Sequence, residues 1–337
     1  MKTLSIVVPC YNSAAYMRTC IDSLLTGGTD MQILIVDDGS DRDRTGEIAD
    51  EYARNYPGIC RAIHQENRGH GGAINAGLAA AEGMFFKVVD SDDWLEPEAL
   101  RSILSVLNRM MRRQDCADVV FSNYIYDNRE RKYTRTMQYR KYFPQHRMFG
   151  WEETRPLGLS TYVLMHALIY RTALLREEIG LHLPEHTYYE DNIYSFVPMA
   201  RAQRLYYVDV DLYHYMLGRP DQSVSTEMML RRVRQQYRIN RLMIKAAEDM
   251  KSLTGRQAGF LTHQMALIFM VTTVLCLQTR HRDQPAKLWK LLQAANPGLY
   301  TMVAHSAMGR AARIPGPVGH GIILLGNYVG QKIIGFR

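Results

Sequence analysis

The sequence has few of the features that mark secreted, disulfide-bonded or zinc-binding proteins. Its five cysteines are scattered along the chain, and none belongs to a CxxC pair. An odd, dispersed set of this kind argues against a disulfide framework and against a zinc site. The first apolar run covers only residues 4–8 before Pro9 interrupts it, which is too short for the core of a signal peptide. We therefore expect a protein of a reducing, cytoplasmic compartment.

Long hydrophobic runs are also scarce. The longest, residues 260–277, is interrupted by His263 and Gln264 and also carries threonines. At about 18 residues it is at the lower limit of membrane-spanning length, so we predict a buried helix, with a membrane span as the alternative. The chain is 47% hydrophobic and 22% charged, which excludes disorder, collagen and coiled coil as the main architecture.

The charge is unevenly distributed along the chain. Residues 1–100 hold 8 basic and 16 acidic side chains, a net of −8, whereas residues 101–337 hold 33 and 18, a net of +15. The two parts are therefore expected to meet different partners. For the basic C-terminal helices, the open interpretations are peripheral contact with the inner face of the cell membrane, binding of an anionic acceptor, and assembly into a homo-oligomer. The charge accompanies no RNA or DNA motif, so nucleic acid is not expected as a partner.

The first 125 residues alternate short β-branched runs with helical patterns. Strand, helix and strand joined by short connections indicate an α/β fold with parallel strands, and ligands of such sheets bind at the carboxyl ends of the strands. The predicted strands are residues 4–8, 32–36, 61–64, 84–89 and 119–126, and the predicted helices are residues 16–25, 44–55, 73–81 and 96–111.

The alternation fails after residue 126. Residues 127–160 are predicted to form a long excursion from the sheet. Further elements are expected at 162–175 (one apolar element), 191–200 (helix), 205–215 (strand), and 228–253, 259–279 and 285–295 (helices). The predicted organisation is a domain of residues 1–225, with halves 1–125 and 126–225, followed by a basic helical region of residues 226–337.

Polar clusters follow three of the predicted strands: Pro9, Tyr11 and Asn12 after the first, residues 37–40 after the second and residues 90–93 after the fourth. Asp90, Asp92 and Asp93 lie within four residues, and carboxylates this close repel unless a cation such as Mg²⁺ or Mn²⁺ lies among them. Helix capping is the alternative for this cluster. The Asp37-Asp38-Gly39-Ser40 segment has two interpretations, a contact with a ligand or an ordinary turn. The glycine-rich segment 67–72, with Arg68, favours a phosphate site at a helix start or a tight turn without a ligand.

These motifs together resemble the family 2 glycosyltransferases of the GT-A fold. The resemblance rests on I-V-V-P-C-Y-N (6–12), I-V-D-D-G-S (35–40), N-R-G with N-A-G-L (67–78), V-V-D-S-D-D-W (88–94) and Y-E-D-N (189–192). It implies a Rossmann-like nucleotide-binding domain with a mixed sheet, followed by a mainly helical C-terminal region. The match is dense to about residue 125 and thins to isolated motifs beyond it.

The resemblance implies a set of site residues. The expected catalytic residues are Asp191, as the general base, and Glu190, although an acidic pair at a helix start is often only a cap. The expected nucleotide contacts are Pro9, Tyr11, Asp37, Asp38, Arg68, Asp90 and Ser91. The expected metal ligands, for Mn²⁺ or Mg²⁺, are Asp92 and His214. His70 and His166 are more readily explained as structural residues.

The implied activity is inverting transfer of one hexosyl or N-acetylhexosaminyl residue from a nucleoside-diphosphate sugar, expected to be a UDP-sugar. The expected acceptor is a hydroxyl of a polysaccharide, a lipid-linked sugar or a cell-wall polymer. The processive motif Q-x-x-R-W is incomplete, since Ile239 replaces its tryptophan. A nucleotidyltransferase would need a glycine-rich loop after the first strand, where residues 9–12 are Pro-Cys-Tyr-Asn. The alternative that stays open is an inactive relative that binds sugar nucleotides as an assembly protein.

Overall fold

The computed structural model describes residues 2–128, 133–218, 225–250, 253, 255–314, 316, 321, 323 and 324. The chain forms two compact units, one of residues 1–155 and 163–219 and the other of residues 156–162 and 220–337. The last break between the units falls between residues 219 and 220, and the boundary predicted after residue 225 stays a prediction. The assignment of the two parts as a transferase domain and a basic helical region stays a prediction.

The first unit is built on a mixed ten-stranded sheet of order β3-β2-β1-β4-β9-β6-β10-β5, with β7 paired to β6 and β8 to β10. The strands are β1 Leu4–Cys10, β2 Met31–Asp37, β3 Cys60–His64, β4 Phe85–Val88, β5 Trp94–Leu95, β6 Val119–Asn128, β7 Tyr133–Met137, β8 Met148–Phe149, β9 Leu168–Arg171 and β10 Leu205–Met216. Strands β2, β1 and β4 are parallel. Their carboxyl ends therefore meet at one edge of the sheet.

Five α-helices accompany this sheet: α1 Met17–Leu25, α2 Thr45–Asn55, α3 Gly69–Ala80, α4 Pro97–Arg113 and α5 Asp191–Phe196. Helix α4 begins with Pro97 and buries Leu100, Ile103 and Leu107 at helical spacing. Helix α3 packs closely on β1, because a Cβ on Gly77 would lie 2.2 Å from Val7 Cγ2. Glycine at this position thus allows the helix to lie directly against the strand.

The structure differs from the sequence prediction in its middle part. The expected single apolar element at 162–175 is three elements: a 3₁₀ turn Met165–Ala167, strand β9 and a π-helical turn Leu174–Glu178. Strand β9 runs antiparallel between β4 and β6, so the sheet is mixed, as the family resemblance implied. The helix expected at 191–200 ends at Phe196, and Pro198 begins a 3₁₀ turn, because proline has no N–H to continue the helical hydrogen bonds.

The second unit is helical in its described part. Its helices are α6 Thr226–Arg231, α7 Val233–Ala247, α8 Gly255–Leu277, α9 Gln284–Ala295, α10 Pro297–His305 and α11 Ala307–Ala312. Among the described residues only α8 is long and apolar enough to cross a membrane, and 72% of its apolar window is buried within the protein. Asn240 Nδ2 of α7 donates to Thr272 Oγ1 of α8 over 2.6 Å. The longest apolar stretch is thus a mostly buried helix, as predicted.

Candidate active site

The loop after β2 is held by hydrogen bonds to the end of β1 and to the start of helix α3. The Asp38 N–H donates to Cys10 O over 2.8 Å, and Asp38 Oδ1 accepts from Gln65 Nε2 at 2.6 Å and from the Arg68 N–H at 2.8 Å. Asp38 is 3% exposed. Its carboxylate therefore fixes the first turn of α3 against the strand ends.

Asp37 has a similar anchoring geometry. Its Oδ1 accepts from the Ser40 N–H at 3.1 Å, and its Oδ2 lies 3.1 Å from His64 Nδ1. The hydrogen bond to Asp50 raises the pKa of His64; burial opposes the rise, and Asp37 adds to it. Gly46 permits this approach, since a Cβ there would lie 2.8 Å from Asp37 Oδ2.

Tyr11 and Arg68 present exposed side chains at the same edge. The Tyr11 side chain is 43% exposed, and its hydroxyl lies 3.4 Å from Asp41 Oδ1. The Arg68 side chain is 57% exposed, with its guanidinium 3.6 Å from Glu185 Oε1. Pro9 is buried in β1, in register with Val36. Among the nucleotide contacts predicted on these loops, Tyr11 and Arg68 are therefore the ones whose side chains reach the surface.

The acidic cluster after β4 contains carboxyls in different environments. Asp93 is 1% exposed, and it accepts from Tyr213 Oη at 2.5 Å and from the Met216 N–H at 2.8 Å. Burial, together with the charges of Asp92 and Asp90, raises its pKa well above the usual value. Asp90 and Asp92 are partly exposed. Asp93 thus anchors the cluster to β10, whereas Asp90 and Asp92 are accessible to a ligand.

The cluster rests on a buried cation and a buried imidazole. Lys87 Nζ is fully buried and donates to His166 O over 2.7 Å; burial lowers its pKa to about 7, against the opposing charge of Asp90. The His166 ring stacks on Tyr213 with ring centroids 4.5 Å apart. Burial lowers the pKa of His166 to about 4, so its ring is neutral near pH 7. Among the described residues, its Nδ1 has no hydrogen-bond partner.

One group of candidate metal ligands stands out in the described part of the chain. One ligand atom from each of Asp90, Asp93 and His166 lies within 4.8 Å of the others. Carboxylate oxygens and a neutral imidazole with an unpartnered nitrogen fit a divalent cation such as Mn²⁺. His214 lies elsewhere: its ring stacks on Trp94, with its nitrogens 3.7 Å from a Glu96 oxygen and 3.5 Å from an Asp127 oxygen. The Nδ1 of His214 likewise has no hydrogen-bond partner among the described residues, and the metal role predicted for His214 stays a prediction.

His70 connects the acidic cluster to the predicted catalytic pair. Its Nε2 lies 2.8 Å from Asp90 Oδ1, and its Nδ1 lies 2.6 Å from Glu190 Oε1. Burial disfavours the imidazolium, but Asp90 and Glu190 outweigh it and raise the pKa of His70 well above its usual value. A protonated ring can donate to both carboxylates at once. His70 therefore holds two acidic segments that would otherwise repel each other.

Asp191 begins helix α5 directly after Glu190. Burial, and then the charge of Glu190, raise its pKa from 3.8 to about 7. Glu190 is 3% exposed and occupied by His70, whereas Asp191 is partly exposed. A carboxylate with a pKa near the working pH can accept a proton from a substrate and release it again. Of the two acids, Asp191 therefore has the properties of a general base.

The loop that carries this pair is attached to helix α3. Asn75 Nδ2 donates to Leu183 O, and the Leu183 N–H donates to Asn75 Oδ1, both over 2.9 Å. A Cβ on Gly71 would lie 2.7 Å from Pro184 O, so glycine allows the loop to approach. Asn75 and Gly71 stand within motifs that the sequence singled out, but their contacts with residues 183–184 carry no sequence signal. Lys87 was missed entirely, since it appears only as one charge in an apolar strand.

The structure thus brings most of the predicted residues to one edge of the sheet. These are Pro9, Tyr11, Asp37, Asp38, Arg68, Asp90, Ser91, Asp92, Glu190 and Asp191. The Ser91 hydroxyl donates to Ser13 Oγ over 2.9 Å, which links the acidic loop to the loop after β1. To this set the structure adds His70, Lys87 and His166.

The chain is similar in sequence to known glycosyltransferases. The family model described as glycosyl transferase family 2 matches residues 5–174. EpsH, a proposed glycosyltransferase of Bacillus subtilis (strain 168), is 33% identical over 222 residues, which are 64% of this chain and 60% of that protein. YibD, a glycosyltransferase of Escherichia coli (strain K12), is 31% identical over 228 residues, 64% of this chain and 61% of that protein. The match therefore spans about 60% of the length of these relatives.

Solved structures show the same fold. TarS residues 1–349 of S. aureus, in complex with UDP, align over 98% of this chain and 92% of that chain with a TM-score of 0.69 and 22% identity. The mannosyltransferase PcManGT of Pyrobaculum calidifontis, in complex with GDP-Man and Mn²⁺, covers 96% of this chain and 86% of its own, with a TM-score of 0.51 and 14% identity. Because the family model covers about half of the chain, this protein belongs to glycosyl transferase family 2 and has the GT-A fold.

Proposed function

We propose that this protein is an inverting, non-processive glycosyltransferase that moves one sugar from a nucleoside-diphosphate sugar to an acceptor hydroxyl. The observation that carries the proposal is Asp191, a partly exposed carboxyl whose pKa is raised to about 7, in a segment that His70 joins to the acidic cluster after β4. Such a constellation combines a base with groups for a charged leaving diphosphate.

The donor site is formed by the loops after β1, β2 and β4. Tyr11 offers an exposed ring for the nucleobase of the donor. Arg68, at the start of α3, offers a guanidinium for its phosphate oxygens. Asp37 and Asp38 shape these loops, and Asp90 and Ser91 close the site. UDP is the nucleotide we propose, because TarS has been solved with UDP and with UDP-GlcNAc. The transferred sugar is a hexosyl or N-acetylhexosaminyl residue.

A divalent cation, Mn²⁺ or Mg²⁺, is proposed at Asp92, with Asp90 next to it and a His166 ring nitrogen within 4.8 Å of an Asp90 oxygen. When bound, the cation would stabilise the negative charge of the leaving diphosphate. The residues of the chain prepare this site. Burial and the charges of Asp92 and Asp90 raise the pKa of Asp93, and Tyr213 holds its carboxyl in place by a hydrogen bond.

The base acts on the acceptor. Asp191 takes the proton of an acceptor hydroxyl, that oxygen attacks the anomeric carbon, and the nucleoside diphosphate leaves from the opposite face. A single displacement of this kind inverts the anomeric configuration. Positioned general bases contribute on the order of 10² to 10⁴ in rate. A polysaccharide, a lipid-linked sugar or a cell-wall polymer is the proposed acceptor class.

The test combines binding and turnover. Thermal unfolding with UDP, GDP and UDP-GlcNAc, each with and without Mn²⁺, identifies the nucleotide, since a ligand that binds the folded state stabilises it. Release of nucleoside diphosphate from the stabilising sugar nucleotide is then compared among the wild type, Asp191→Asn and the exposed control Asp30→Asn, which lies before β2 and away from the strand ends that form the site. We expect Asp191→Asn to bind the nucleotide and to lose turnover. Wild-type binding without turnover against a panel of acceptors would favour the inactive relative.

A further inference from the structure

Helix α7 carries a stripe of basic side chains along one face. Its members, which we call the basic stripe, are Arg234, Arg238, Arg241 and Lys245. They recur at spacings of four, three and four residues, so they lie on one side of the helix, and all are exposed. None of the four forms an ion pair with any residue that the structure describes.

The stripe borders an apolar groove between α7 and α9. The groove has a volume of about 540 Å³, and its lining includes Arg238, Arg241, Lys245, Glu248, Leu242 and Leu291. Leu291 is 42% exposed, which makes it one of the few large aliphatic side chains exposed on the described surface. Three cations and one acid therefore stand beside a row of accessible apolar side chains.

We propose that the basic stripe and this groove form a docking surface for an anionic lipid bilayer. The cations would contact lipid phosphates, and Leu291 and its neighbours would enter the boundary between headgroups and acyl chains. A soluble polyanion would use the charges but would have no use for the exposed apolar row. The combination of charge and apolar surface is therefore the reason to choose a bilayer over an anionic polymer.

The experiment is sedimentation of the full chain with vesicles. The vesicles contain equal parts of phosphatidylglycerol and phosphatidylcholine, or phosphatidylcholine alone, at about 50 mM and about 500 mM salt, because screening weakens contacts between exposed charges. Each basic residue near an anionic surface strengthens binding about fivefold. The triple variant R238Q/R241Q/K245Q should therefore bind on the order of a hundredfold more weakly. Leu291→Asn should bind several-fold more weakly at unchanged charge.

The matched control is R109Q/R112Q/R113Q, which removes the same charge from exposed positions of α4 in the other unit. We expect this control to bind anionic vesicles nearly as the wild type does. Circular dichroism of every variant verifies that α7 remains folded, and a second triple variant, R238K/R241K/K245R, should retain binding.

Several results would overturn the proposal. One is the absence of sedimentation with anionic vesicles at low salt. Another is an equal loss in the two triple variants, which would indicate an effect of net charge alone. A third is stripe-dependent binding to soluble dextran sulfate together with vesicle binding that Leu291→Asn leaves unchanged, which would indicate a polyanion surface instead.

Discussion

Replacing Asp191 with Asn should make the protein more stable at alkaline pH while it removes the proposed base. The pKa of Asp191 is 3.8 in an unperturbed chain and about 7 in the fold. The neutral acid's contribution to stability is therefore fully present below pH 3.8 and is lost as pH rises through about 7. A shift of about three pKa units corresponds to roughly 4 kcal/mol. Because solvent screens this partly exposed carboxyl, we expect Asp191→Asn to be more stable than the wild type by only about 1–2 kcal/mol at pH 8.

The assay is urea unfolding of the wild type and Asp191→Asn at a series of pH values from about 4 to 8. The stability difference between the two should be near zero at the acidic end and should favour the variant at pH 8. Asp43→Asn is the control of opposite sign. Burial would raise the pKa of Asp43, but hydrogen bonds from Thr45 and Ala14 outweigh it and lower that pKa, so this variant should be the less stable one at neutral pH.

The same ionisation should govern turnover. A base with a pKa of about 7 is roughly nine-tenths protonated at pH 6 and nine-tenths ionised at pH 8, so kcat/KM should rise about tenfold between them. If Asp191→Asn is no more stable than the wild type at pH 8, the raised pKa is wrong, and with it the main support for the base.

Three further variants test the rest of the site. Asp92→Asn should abolish the extra thermal stabilisation that Mn²⁺ gives to UDP binding, whereas the exposed control Asp30→Asn should retain it; equal enhancement in both would contradict a metal role for Asp92. His70→Ala removes a positive charge that lowers the pKa of Asp191, so the acidic limb of the pH–rate profile should move to higher pH. An unchanged limb would contradict an electrostatic effect of His70 on Asp191. Lys87→Met removes a buried amine whose pKa is lowered from 10.5 to about 7. Wild-type stability relative to this variant should therefore rise as pH increases from 7 to 10, and a pH-independent difference would count against a buried amine that titrates.

Much of the first unit was predictable, because its signals are local. The β-branched runs that became β1, β2 and β4 and the amphipathic pattern of α4 depend on neighbouring residues only. The short strands β5 and β8 carry too few residues for a pattern. The antiparallel direction of strand β9 could not be predicted from its residues, because the direction of a strand depends on the strands with which it pairs.

For the site, the sequence alone determined which chemical groups are available: the carboxyls of Asp90 and Asp92, the acidic pair Glu190 and Asp191, and the glycine-rich start of α3. Only the tertiary structure decided what each group does. His70 meets Asp90 and Glu190 across 20 and 120 positions of sequence. Asp93 differs from Asp92 by its burial against β10, and Asp191 differs from Glu190 by the absence of the His70 contact. A pKa depends on burial and on charges nearby in space, and neither property is written in the order of the residues.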